Sequence, residues 1–181
     1  MRVISGKARG THLLPLQTDK VRPTTDAIKE NLFNILQTNV KDCRFLDLFA
    51  GTGAIGIEAL SRGAKHCIFV DASRIAVELV RKNLEKTNLT TEAEIIRERI
   101  PEVMPRLMSY KFDIIYLDPP YNWGLAAETL KGITSTDILD DGGIIIAEVA
   151  SDEVLTPYLG FEIFKVKRYG GSKLFFIRRG E

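Results

Sequence analysis

The sequence offers almost nothing that could hold a metal or a disulfide framework, with only two cysteines and two histidines among its 181 residues. Cys43 and Cys67 lie far apart and outside any CxxC or Cys/His cluster, which argues against structural zinc. Each sits in or beside an apolar run, so both are expected as buried free thiols. His12 and His66 have no acid or cysteine beside them and are not expected to be catalytic. No apolar run approaches the roughly 20 residues that span a bilayer. The stretch Met1–Gly10 lacks the apolar core of a secretory signal, so the cytoplasm is the expected compartment. Repeats and low-complexity tracts are missing too.

Charge of one sign is also lacking, since 25 basic residues face 24 acidic ones. That balance hides an uneven distribution. Residues 1–23 carry Arg2, Lys7, Arg9, Lys20 and Arg22 against Asp19 alone. Residues 161–181 carry Lys165, Lys167, Arg168, Lys173, Arg178 and Arg179 against Glu162 and Glu181. The body between them is acidic. Basic flanks around such a body suit a polyanionic partner. With 45% hydrophobic and 27% charged residues, the chain has the composition of one folded domain.

From Cys43 onward, short apolar runs alternate with helical periods. The runs Arg44–Phe49, Cys67–Val70, Ala93–Ile96, Phe112–Leu117 and Ile144–Val149 read as strands buried on both faces of a parallel sheet. Ile55, Ala59 and Leu60 recur at helical spacing, as do Ile75, Leu79, Val80 and Leu84. The alternation predicts an α/β fold with a doubly wound, mostly parallel sheet. Near the end the rhythm changes. Phe161–Val166 and Leu174–Ile177 flank Gly170-Gly171 with too little chain for a crossover helix, so a C-terminal antiparallel hairpin is expected. Together these make seven strands. At the other end, Val3-Ile4 and Leu13-Leu14 around Gly6–Gly10 predict a short β-hairpin arm. Pro23 then fixes an extended approach to a helix capped by Thr24, Thr25 or Asp26, with Ile28, Leu32, Ile35 and Leu36 on one face. The arm covers residues 1–23, and residues 24–181 form the single main domain.

Two motifs carry chemistry. In Leu46-Asp47-Leu48-Phe49-Ala50-Gly51-Thr52-Gly53-Ala54-Ile55-Gly56 a strand gives way to a helix through the spacing GxGxxG, which brings backbone close to a ligand. Asp71 ends the next strand, where an acid accepts hydrogen bonds from ribose hydroxyls. The same spacing serves nicotinamide cofactors. Asp47 favours S-adenosylmethionine, since a carboxylate opposes a pyrophosphate but suits a cationic methionine end. The second motif, Asp118-Pro119-Pro120-Tyr121, follows the run Phe112–Leu117. It suits a planar base bearing an NH2 group, whose lone pair is delocalised and must be held in place. Asp118 and the Pro119 carbonyl can accept its two N–H bonds. Pro119 and Pro120 stiffen the backbone, and Tyr121 offers a stacking face. Trp123, just beyond, can line the base pocket or pack against the domain.

Over nearly its whole length the chain resembles the bacterial small-subunit rRNA guanine-N2 methyltransferases, the RsmD family. The resemblance rests on Arg2–Gly10, Arg22–Asp26, Leu46–Gly53, Asp118–Tyr121 and Tyr169–Leu174. It implies a class I, Rossmann-like methyltransferase domain that uses S-adenosylmethionine and no metal. The implied product is an N2-methylated guanine of the guanine-966 type in 16S rRNA, formed on the 30S subunit or an assembly precursor by a monomer. By that resemblance Asp118, Pro119, Pro120 and Tyr121 bind the amine. Asp47, Phe49, Ala50, Gly51, Gly53, Asp71 and Ala72 hold the cofactor. Arg2, Lys7, Arg9 and Arg22 contact RNA. Relatives carry an Asp-Ala-type pair after the third strand, where this chain reads Arg97-Glu98-Arg99-Ile100, and Glu98 is expected in its place. The other readings are a DNA adenine-N6 or other amino-methyltransferase and a nicotinamide-dependent oxidoreductase.

Overall fold

A computed structural model describes residues 1–16, 26–121 and 123–180. The chain divides into two compact units, Met1–Glu98 and Arg99–Glu181. Its seven strands make up a mixed sheet.

The first unit follows the order α1 (Asp26–Leu36), β1 (Arg44–Leu48), α2 (Ala54–Ser61), β2 (His66–Asp71), α3 (Arg74–Thr87) and β3 (Ala93–Arg97). Its strands lie in the order β3-β2-β1, all parallel, as the apolar runs predict. Phe45, Leu46, Leu48 and the run Cys67–Val70 are solvent-free, and both cysteines are free and buried. The register pairs Leu48 with Val70, and Asp71 with Arg97. The carboxyl ends of the three strands therefore fall at one edge, which brings the stretches after residues 48, 71 and 97 together. On α1 the buried face is Ile28, Lys29, Leu32, Phe33 and Leu36, with Ile35 only half-buried. On α3, Ile75 is 67% exposed, and Val80 and Leu84 face inward with Asn83.

The expected N-terminal hairpin reduces to one isolated antiparallel bridge, Arg2 with His12, so neither Val3-Ile4 nor Leu13-Leu14 forms a strand. The physical reason lies in α2. The Ile4 and Ser5 N–H groups donate to the Glu58 carboxylate at 2.8 and 3.0 Å. Lys7 and Ala8 N–H groups donate to the carbonyl and hydroxyl of Ser61. The Val3 and Leu13 N–H groups still donate across the arm, to the Thr11 and Met1 carbonyls, but those of Ile4 and Ser5 are spent on the helix, so pairing extends no further. Gly6 lies so close that an added Cβ would stand 1.7 Å from the Ser61 carbonyl oxygen. Glu58 also meets Lys29 and Arg62, both within ion-pair distance. Lys29 and Glu58 are fully buried, and burial lowers the lysine pKa while Glu58 opposes that shift. Thr24, Thr25 and Pro23 lie outside the described residues.

The second unit contains α4 (Met104–Leu107), β4 (Phe112–Leu117), α5 (Leu125–Thr134), β5 (Leu139–Ala150), β6 (Phe161–Tyr169) and β7 (Ser172–Arg179). Its strand order is β4-β5-β7-β6. β4 and β5 are parallel, whereas β7 runs antiparallel to both β5 and β6. Gly170-Gly171 forms the predicted two-residue turn, with Gly170 at φ +53°. β5 is longer than the apolar run Ile144–Val149 because Leu139 already pairs with Phe112 across an irregular stretch.

Candidate active site

The glycine loop between β1 and α2 is a strained backbone held by side chains. Phe49, Gly51 and Gly53 all have positive φ, at 62°, 56° and 75°. Phe49 is not a glycine, so its left-handed backbone costs energy that the surroundings must supply. They do so through hydrogen bonds. The Ala50 N–H donates to the Val70 carbonyl at 3.0 Å, and Gly53 N–H to the Ala50 carbonyl at 2.7 Å. The Gly51 N–H donates to Asp71 Oδ2 at 2.9 Å, while Ser73 N–H donates to Asp71 Oδ1 at 2.8 Å. Each carboxylate oxygen has a second lone pair, so Asp71 keeps acceptor capacity for a diol. Ala72 beside it is exposed. The backbone N–H of Glu98, which is half-buried, donates to the Asp71 carbonyl at 3.2 Å. Six of the predicted cofactor residues, Phe49, Ala50, Gly51, Asp71, Ala72 and Glu98, are thus gathered at one edge of the first unit.

Asp47 is placed beneath this loop, with 2% exposure. Its Oδ2 accepts the Gly56 N–H at 3.0 Å, and burial pushes its pKa up to about 8, against the opposing pull of that hydrogen bond. It holds the first turn of α2 in the neutral form at pH 7. Gly56 has a different task from the loop glycines. A Cβ there would stand 2.3 Å from Phe69 Cε1 and 2.7 Å from Cys67 Sγ, so its absence lets α2 lie close on β2.

Asn83 completes the loop and was not singled out in the sequence. This fully buried side chain on α3 donates to the Thr52 carbonyl at 2.9 Å and to the Leu14 carbonyl at 3.2 Å, and accepts the Leu14 N–H at 2.7 Å. It joins the N-terminal segment to the glycine loop. A lone amide on an otherwise inward-facing helical stripe is the signal that marks it.

In the second unit, Asp118-Pro119-Pro120-Tyr121 leaves β4 one residue beyond the pair Leu117–Ala147. The same step along β5 reaches Glu148. Pro119 is buried, Asp118 and Tyr121 are half-buried, and Pro120 is exposed. Glu148, with 3% exposure, accepts the Tyr116 hydroxyl at 2.6 Å and the Tyr121 hydroxyl at 3.2 Å. Burial raises the Tyr121 pKa, and the nearby charges of Asp118 and Glu148 raise it further. The phenol therefore stays protonated and its ring is fixed by its own hydroxyl. Glu148 lies outside both sequence motifs. Its signal is a single acid inside the continuous run Ile144–Val149. Trp123 is 77% exposed.

Among the predicted RNA contacts, Arg2 pairs with Asp26 and Lys7 with Glu92, both at the surface. Arg9 is exposed, and Arg22 lies outside the described residues. An open cavity of about 450 Å³ in the first unit, between Phe33, Asn34, Gln37 and Arg62, involves none of the predicted site residues. No group of acids, histidines and cysteines among the described residues is arranged to hold a metal, and no helix among them is long and apolar enough to cross a membrane.

Comparison with known proteins follows the same lines. A family model described as Conserved hypothetical protein 95 matches residues 1–178. The chain is 41% identical over 150 residues to the Bacillus subtilis protein YlbH, covering 82% of each. It is 32% identical over 172 residues to the ribosomal RNA small subunit methyltransferase D of Haemophilus influenzae, covering 94% of this chain and 89% of that one. The solved structure of Escherichia coli yhhF superposes with a TM-score of 0.86 at 29% identity, over 99% of this chain and 97% of the other.

Proposed function

The chain belongs to the ribosomal RNA small subunit methyltransferase D family, and on that footing we propose that it methylates the exocyclic N2 amine of a guanine in 16S rRNA, with S-adenosylmethionine as donor. The observation that carries this reading is the Asp118–Tyr121 motif with its tyrosine tethered to buried Glu148. When bound, S-adenosylmethionine supplies an electrophilic methyl on a sulfonium centre. The residues of the first unit fit it. Phe49, Ala50, Gly51 and Gly53 offer closely approachable backbone, Asp71 with Ala72 faces the ribose, and Glu98 serves the adenine. Asp47 acts through the loop it supports.

The second unit's residues act on the amine. Asp118 and the Pro119 carbonyl accept its two N–H bonds, which orients the nitrogen lone pair. Pro119 and Pro120 hold those acceptors in place through their locked φ. Tyr121 presents its ring to the base, an interaction worth about 1–3 kcal/mol. With no strong nucleophile to generate, positioning is the main contribution, and in favourable cases it supplies about 7–11 kcal/mol.

Residues 1–23 form an RNA-binding arm in this reading, and residues 24–181 the methyltransferase domain. Arg2, Lys7, Arg9 and Arg22 meet phosphates, and the surface pairs of Arg2 and Lys7 are weak enough to exchange for them. The substrate is 16S rRNA in the 30S subunit or its precursor, the guanine is of the 966 type, and a cytoplasmic monomer does the work. Labelled S-adenosylmethionine and purified 30S subunits test this directly. Mass analysis of digested rRNA should return N2-methylguanine, and S-adenosylhomocysteine should resist displacement by NADH. Label in adenine, or none in rRNA, would overturn the reading.

A further inference from the structure

We infer that Lys165 and Lys167 on β6 form a second RNA-backbone contact, a track that leads along the sheet toward the Asp118–Tyr121 motif. The inference rests on the function proposed above and adds a surface to it. The register carries it. Glu148 on β5 lies opposite Leu174 on β7, and Leu174 lies opposite Lys167 on β6. Residues directly opposed in a ladder share a face of the sheet. Glu148, Leu174 and Lys167 are thus abreast on the face to which Glu148 holds the Tyr121 hydroxyl. At about 4.8 Å per strand, the Lys167 backbone is about 10 Å from that of Glu148. Lys165, opposite Phe176, continues the same face about 7 Å further along β6.

The cations on this strand are unspent. Elsewhere in the unit, Lys111 and Arg179 pair with Asp137, and Arg178 pairs with Glu162. Among the described residues Lys165, Lys167 and Arg168 make no ion pair, and the whole stretch 164–168 is exposed. Arg168, directly opposite Lys173, lies on the other face of the strand and takes no part in the track. Phe164, just before the lysines, and Val166, on the opposite face of the strand, are exposed at 37% and 42%. Unpaired lysines at every second position, on one face of an exposed strand, match the phosphates of a single strand running along it.

The test measures binding of purified 30S subunits at several salt concentrations, for the wild type and for the double variant Lys165→Gln/Lys167→Gln. The slope of log affinity against log salt should fall by about 1.4, since each lost single-strand phosphate contact removes about 0.7. S-adenosylhomocysteine affinity should not change, and Lys165→Arg/Lys167→Arg should restore the slope. An unchanged slope overturns the track. So does self-association of the Gln variant with unaltered RNA affinity, because the lysines would then only guard an open sheet edge. A wild type that binds no 30S subunit overturns the proposed function, and the track with it. A wild type that binds while both double variants match it overturns the track alone.

Discussion

The glycine loop of the first unit and the Asp118–Tyr121 motif of the second are fixed by opposite means. In the loop the constrained part is backbone. Three left-handed residues are held by N–H donation to Asp71 and the Val70 carbonyl, and by Asn83 on the Thr52 carbonyl. In the motif the backbone is stiffened by proline rings, and the constrained part is a side chain, the Tyr121 ring, pinned at its far end by Glu148. A backbone site presents generic donors at close range and suits a ligand that is always the same. A tethered ring presents a flat face and suits a base delivered by a large, variable substrate.

Three substitutions sharpen that contrast. Asp118→Ala should have the largest effect, lowering kcat by roughly 10²–10³, as loss of one positioned hydrogen-bonding group does elsewhere. Cofactor affinity, measured by calorimetry, should stay at the wild-type value, since the glycine loop is untouched. Equal turnover would remove Asp118 from the amine site. Next comes Glu148→Ala, which removes one carboxylate hydrogen bond from each of two tyrosine hydroxyls and should cost about 1–3 kcal/mol in a urea melt. Its kinetic signature is a rise in the KM for RNA larger than the fall in kcat, with Glu148→Gln recovering most of both. A KM equal to wild type would reduce Glu148 to a packing residue.

The smallest effect belongs to Asp47→Asn. The native carboxyl titrates at about 8, whereas the unfolded one titrates near its ordinary 3.8. Between those values the native state holds a proton that the unfolded state has lost. Stability is therefore full below about pH 4 and falls as pH rises toward 8, at up to about 1.4 kcal/mol per pH unit. Asparagine keeps an acceptor for the Gly56 N–H and cannot ionise. The variant's urea midpoint should change less than the wild type's between about pH 6 and pH 7. Parallel curves would show that burial of Asp47 does not govern the loop.

The same contrast explains what could be read from the residues alone. Continuous apolar runs give parallel strands wherever both faces are covered, as β1, β2 and β4 are. The glycine loop is legible because left-handed backbone demands recognisable residues, although Phe49 adopts it without being one. The Gly170-Gly171 turn is legible for the same reason. The tethers are not, because Glu148, Asn83 and Glu58 act on partners distant in the chain. The Ile4 and Ser5 donors reach Glu58 across more than fifty positions, and no local period registers such a bond. Those same bonds turn the expected hairpin into a bridged segment. Ile75 misleads for a simpler reason. It opens α3, where the stripe has not yet turned inward, and the buried positions begin at Ala76.

Among the described residues the carboxamide of Asn83 makes three bonds to just two places, Leu14 and Thr52. Displacing either neighbour strands a polar group that water does not reach, so the two are thermodynamically linked. Linkage of this kind is reciprocal. By whatever factor a seated N-terminal segment tightens the grip on a small molecule at the loop, that molecule tightens the seating of the segment.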